Sequence, residues 1–183
     1  MKHKPILVFD LELNQPSNKI IEIGAVVGDY KTGVVLDSYQ AFVTLDEIMH
    51  VSVSILTGIT DKTLRELGIP LLEAYLGMEE IYRKYDCFAH SFTWGTGDLP
   101  LLKSQVSLLS PEWCLGQRYV DVKAVYQAWA LHNNIKVRCG LAKALTVLGT
   151  TFHGTKHRAL DDALNTFRAF VLLGQKYLPR IVK

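Results

Sequence analysis

Residues 6–13 read ILVFDLEL, and this run decides the fold. It is apolar enough to be a buried strand, yet it carries two acids. Side chains alternate along a strand, so Asp10 and Glu12 point to one side and Leu7, Phe9, Leu11 and Leu13 to the other. Two carboxylates a few ångströms apart repel and raise each other's pKa unless positive charge stands between them. The competing use of such a pair is an exposed strand end facing water, and an isolated DxE is a weak signal.

Working outward, 20–28 and 34–43 read as two further strands, with hairpin turn chemistry in GDYKTG between them. Residues 52–70 break into short helical pieces at Gly58 and Gly68, and 70–84 has helical spacing. CFAHS at 87–91 reads as a short buried strand. Helix is predicted over 97–109, strand at 119–122 running into helix over 122–133, and helix over 140–149 closed by Gly149. A last long helix falls within 157–177. Three early strands followed by strands alternating with helices predict an α/β fold, a mixed sheet covered by helices.

The chain has 183 residues, which suits one domain over 1–183 with a sizeable core. It is 49% hydrophobic and 21% charged, with a net charge of +2. That charge is too mild to argue for nucleic acid alone, and it leaves room for a local basic groove. Cys87, Cys114 and Cys139 are far apart and form no CxxC, which favours free thiols in a reducing, cytoplasmic setting over a zinc site. The apolar stretch near the N-terminus is too short for a signal peptide, and no run is long enough to cross a bilayer.

Other acids stand in surroundings that ask for a reason. Asp98 follows the small residues Gly95, Thr96 and Gly97, which let backbone approach something closely. Its competing use is the N-cap of the helix that begins there. Further on, His157, Asp161 and Asp162 open a helix in HGTKHRALDDALNTFRAF. Acids in a first helical turn gain about 0.3–1 kcal/mol from the dipole, which is their ordinary explanation. At about 100° per residue, Asp161 shares a wet face with Asn165, Arg168 and Gln175, whereas Asp162 turns inward with Thr166, Ala169, Phe170 and Leu173. An inward acid needs a partner. Asp10, Glu12, Asp98 and Asp162 thus point to divalent hard cations, Mg²⁺ or Mn²⁺, with His157 as a nearby base.

These residues resemble the three motifs of the DEDDh 3′-to-5′ exonucleases, the group of the proofreading subunit of bacterial replicative DNA polymerase. DLEL…IIEIGAVV resembles the first motif, HSFTWGTGD the second and LAKALTVLG…HRALDDA the third, with LTGIT at 56–60 as a further specific match. The TWGTGD form resembles the branch that trims structured or small RNAs and related sporulation-type enzymes. The resemblance covers nearly the whole chain and implies a ribonuclease H-like sheet flanked by helices. It implies Asp10, Glu12, Asp98 and Asp162 as ligands of two Mg²⁺ or Mn²⁺ ions and His157 as general base. It also implies single-stranded RNA or DNA 3′ ends as substrate, RNA favoured, and nucleoside 5′-monophosphates as product. Many relatives carry a Thr soon after the DxE glutamate; here Leu13-Asn14-Gln15 follows. Leu13, Asn14, Leu56, Ile59 and Trp94 are the candidate contacts to the last nucleotides, with core packing the competing use of the apolar ones. Lys156 and Arg158 flank the histidine as candidate phosphate contacts or solvated loop residues.

Three alternatives keep the same motifs. One is a catalytically silent nucleic-acid-binding or scaffold domain, against which all five motif positions weigh. Another is an oligoribonuclease-like phosphodiesterase acting on very short oligonucleotides. The third is a polymerase-bound proofreading subunit, for which the ending LPRIVK offers no obvious tether.

Overall fold

Strand β1 (Ile6–Leu13) lies in the middle of a five-stranded sheet. The structure is a computed structural model that describes residues 3–109, 113–116, 118–136 and 138–177. The ending LPRIVK lies outside the described residues. β1 pairs antiparallel with β2 (Ile20–Asp29), which pairs antiparallel with β3 (Val34–Phe42). The hairpin turn between them is closed by the Asp29 carboxylate, which accepts from the Lys31 amide at 2.9 Å. After α1 (Val51–Thr57), α2 (Asp61–Leu67) and α3 (Leu71–Lys84), the chain returns to the other side of β1. There β4 (Ser91–Thr93) pairs parallel with β1 at Val8↔Phe92, and β5 (Tyr119–Asp121) pairs parallel with β4. The remaining helices are α4 (Asp98–Val106), α5 (Val122–His132), α6 (Leu141–Leu148) and α7 (Ala159–Tyr177). The sheet order is β3-β2-β1-β4-β5, a mixed sheet covered by helices.

Strand alternation sorts the core into two layers. Leu7, Phe9 and Leu11 pack with Ala74, Tyr75 and Met78 of α3 and with Leu99 and Leu102 of α4. Ile6 and Val8 point the other way, toward Tyr126 of α5, Leu145 of α6 and Phe167 of α7. Each fully buried Leu or Phe contributes roughly 1.5–3 kcal/mol relative to exposure. Asp10 and Glu12 continue the Ile6–Val8 side, so the two acids face α7. A smaller cluster of Ile21, Met49, Val53, Ile59 and Leu64 seats α1 and α2 beside the sheet.

At Gly24, β2 meets the start of α7 main chain to main chain, and at Gly28 it receives the Phe167 ring. A Cβ on Gly24 would lie 2.0 Å from the Leu160 nitrogen, and one on Gly28 would lie 2.3 Å from the Phe167 ring. Asp10 is paired directly with Gly24, so this contact brings the start of α7 to the acidic end of β1.

Two expectations shift. The predicted strand at 87–91 begins only at Ser91, and residues 87–90 form the turn out of α3, where the Cys87 amide bonds the Tyr82 carbonyl at 3.2 Å and that of Phe88 the Pro5 carbonyl at 2.8 Å. The predicted wet face of α7 is covered over its first turns, while Gln175 is exposed as expected. Asn165 is fully buried; its amide donates to the His153 carbonyl at 2.7 Å and its oxygen accepts from the His153 N–H at 3.0 Å. Arg168 donates to the Thr151 carbonyl at 3.0 Å and the Thr150 hydroxyl at 2.8 Å. Residues 150–157 therefore fold back along this face. No helix among the described residues is long and apolar enough to cross a membrane.

Candidate active site

Oxygen atoms of Asp10, Glu12 and Asp162 all lie within 4.8 Å of one another. β1 presents the first two on one face, and the first turn of α7 brings the third over them. Asp98 begins α4, and the N-cap position, its competing use, belongs to Gly97. Its charge is the strongest of the neighbouring charges acting on Asp10.

Without a cation this cluster is electrostatically unfavourable. Burial, then the charges of Asp98 and Asp162, raise Asp10 well above the usual aspartate range. Burial and the charge of Asp162 push Glu12 up to about 8, against which Arg158 acts in the opposite direction. Burial pushes Asp98 up to about 6 and raises Asp162 as well. A divalent ion between these carboxylates would oppose both effects and favour their charged forms. The donor set is oxygen only and has room between three convergent carboxylates, which fits Mg²⁺ or Mn²⁺ better than a softer metal.

His157 is exposed on the turn before α7, with a positive φ of 61°. Its N–H donates to Asp162 Oδ2 at 2.7 Å, and the Asp162 N–H donates to the Arg158 carbonyl at 2.9 Å. His157 and Asp162 are thereby braced in one turn. Asp161, expected to be a plain surface acid, holds the loop instead: it accepts from the Thr155 N–H at 2.8 Å. Gly154 makes room for it, since a Cβ there would meet the Asp161 carboxyl at 2.3 Å.

The candidate substrate contacts separate by burial. Leu13 is half-buried against the first core layer, and Leu56 is 56% exposed on α1. Ile59 is 1% exposed, inside the third cluster. Asn14 is buried; its amide donates to Glu47 at 2.6 Å and its oxygen accepts from the His50 N–H at 2.8 Å, so it anchors the loop ahead of α1. Trp94 packs half-buried, tilted against Tyr126 at 6.1 Å.

Arg158 is not a solvated loop residue. It pairs at 2.8 Å with Glu22, which is wholly buried on β2 opposite Glu12. Sequence reasoning passed over Glu22, although an acid inside IIEIGAVV poses the same question as the acids of ILVFDLEL.

No family model matches the chain. The 3′-5′ exonuclease Snipper of Drosophila melanogaster is 26% identical to it, over 80% of this chain and 58% of that protein. The chain thus spans less than two thirds of the curated relative it matches. Among solved structures, the nuclease domain of 3′hExo, described as a DEDDh family member bound to rAMP, superposes with a TM-score of 0.78. It is 18% identical and covered over 94% of its length, against 96% of this chain. The chain has the DEDDh exonuclease fold. S. pombe Pop2p in its Mg²⁺- and Mn²⁺-bound form has that architecture too, with a TM-score of 0.65 at 20% identity over 95% of this chain and 84% of that one. The curated relative is a 3′-5′ exonuclease, and the superposed nuclease domain, a DEDDh family member, shares the fold of this chain.

Proposed function

We propose that residues 1–183 act as one exonuclease domain that removes nucleotides from the 3′ end of single-stranded nucleic acid, RNA in preference to DNA. The observation that carries this is the convergence of three carboxylates within 4.8 Å, with the charge of Asp98 acting on Asp10 and Glu12 from α4. Asp10, Glu12, Asp98 and Asp162 would hold two Mg²⁺ or Mn²⁺ ions. When bound, such ions lower the pKa of a water and stabilise the leaving 3′ oxygen. The exposed His157 takes the proton of the attacking water. Asp162 orients it by accepting its backbone N–H. Products are a nucleoside 5′-monophosphate and a strand shorter by one.

At the substrate end, Leu56 offers an exposed apolar surface to the terminal base and Leu13 lies at the acidic end of β1. Ile59 packs with Val53 of α1, and Asn14 holds the loop ahead of that helix. Trp94 is the candidate for stacking a further base. The rAMP in the 3′hExo domain supports a ribonucleotide product. Three free cysteines support a reducing, cytoplasmic setting.

The test uses 5′-labelled single-stranded RNA and DNA, with Mg²⁺, Mn²⁺ or EDTA, beside Asp10→Ala. A metal-dependent ladder shrinking from the 3′ end, absent in the folded variant, is the expected result. Metal-independent cleavage, or none with metal bound, refutes the assignment. His157→Ala is expected to retain metal binding and to lose about 10²-fold or more in rate.

A further inference from the structure

We infer that Glu22, acting through Arg158 and the Ala159 amide, positions the turn carrying His157 and Asp162 against the acids of β1. The inference rests on the exonuclease assignment above. Glu22 is 0% exposed. A carboxylate removed from water is costly unless its lone pairs are engaged. Arg158 Nη2 donates to Oε1 at 2.8 Å, and Nε approaches both oxygens at 3.3 Å. Gln40 donates to Oε1 at 2.5 Å, and the Ala159 N–H to Oε2 at 3.0 Å. The guanidinium also lies over the Phe42 ring, 5.2 Å from its centre.

Two of these donors, Arg158 and Ala159, belong to the turn that joins His157 to Asp162. That turn is braced internally by the His157 and Asp162 amide bonds. It also holds His157 in a left-handed conformation that a non-glycine residue keeps only when its surroundings impose it. Packing at Gly24 limits how closely α7 approaches β2. The directional bonds from Glu22 fix where the turn stops along the strand. Asp162 must meet Asp10 and Glu12 while His157 reaches the water, so one displacement disturbs both. A misplacement of about 1 Å in such a site is enough to lose about 10²-fold in rate.

Wild type, Glu22→Gln and Arg158→Lys make the test. Gln keeps the shape and an acceptor for Ala159 but loses the charge. Lys keeps the charge but loses the planar fork. For each protein, Mn²⁺ affinity is measured by calorimetry without nucleic acid, together with melting temperature and kcat and KM on a labelled single strand. Both variants should fold and lose about 10- to 100-fold in Mn²⁺ affinity and in kcat, with KM little changed. A lower melting temperature with wild-type Mn²⁺ affinity and kcat would make Glu22 a stability element only and overturn the inference. Loss in Glu22→Gln with wild-type behaviour in Arg158→Lys would also overturn it, because the effect would then be one of charge and not of position. If Glu22→Gln does not fold, Arg158→Lys decides by the same readouts. A wild-type protein that binds no Mn²⁺ and cuts neither strand refutes the exonuclease assignment itself, and this inference with it.

Discussion

Glu12 and Glu22 are direct cross-strand partners, one on β1 and one on β2. Their surroundings are opposite. Glu22 is fully buried and has an arginine, a glutamine and a backbone N–H for its oxygens. Glu12 lies beside Asp10 and Asp162, and burial, then the charges of Asp162, of Glu22 itself and of Asp98, push it up to about 8. Two carboxylates of one sequence pattern, a strand apart, thus have different completions. The protein itself completes the first, whereas the second is left for a cation to complete. A buried acid with its bonds already made holds structure together, and one surrounded by like charges marks a place for chemistry.

Arg158→Ala should have the greatest effect on stability. Arg158→Ala strands Glu22 as a buried, uncompensated charge. Unfolding in urea should show a loss of about 3 kcal/mol, toward the low end for a broken buried pair because Arg158 keeps part of its exposure. A loss well below 1 kcal/mol would mean that water reaches Glu22 and that the two acids are alike after all.

A second prediction concerns pH in EDTA. Glu12 has its folded pKa raised from 4.5 to about 8. Between those values the folded state binds more protons than the unfolded state, so stability falls as pH rises. Melting temperatures taken from pH 5 to 8 in EDTA should decline across this window, and Mg²⁺ should flatten the decline. A flat EDTA profile would show that the cluster is not strained without metal.

The third is smaller. Asp10→Asn removes one repelling charge and should raise the metal-free melting point by a few degrees, about 1 kcal/mol, while abolishing cleavage. Glu22→Gln should move melting in the opposite direction, which scanning calorimetry of the two variants side by side would show.

Much of this was legible in the sequence. The alternation of ILVFDLEL placed Asp10 and Glu12 on one side, and the helical wheel chose Asp162 over Asp161 as the inward acid. The β2–β3 hairpin followed from its turn residues. What the sequence hid depends on contacts between distant segments. A helical wheel assumes that a polar face meets water, but residues 150–157 fold onto Asn165 and Arg168. Arg158 read as a loop cation because its partner lies 136 residues away. Glu22 went unexamined since IIEIGAVV, unlike ILVFDLEL, holds a single acid and so poses no visible repulsion. Apolar content alone drew the strand at 87–91, although pairing with β1 and β5 falls at residues 91–93.

The bare backbone contact at Gly24 has one more consequence. Where a helix is held off a strand by side chains, the gap varies with every rotamer between them. Here main chain bears on main chain, so the gap is a fixed tolerance, set by the radii of peptide atoms. The spacing between a strand acid and a helix acid is thereby insulated from side-chain noise, in the way a machined shoulder sets a shaft without a shim.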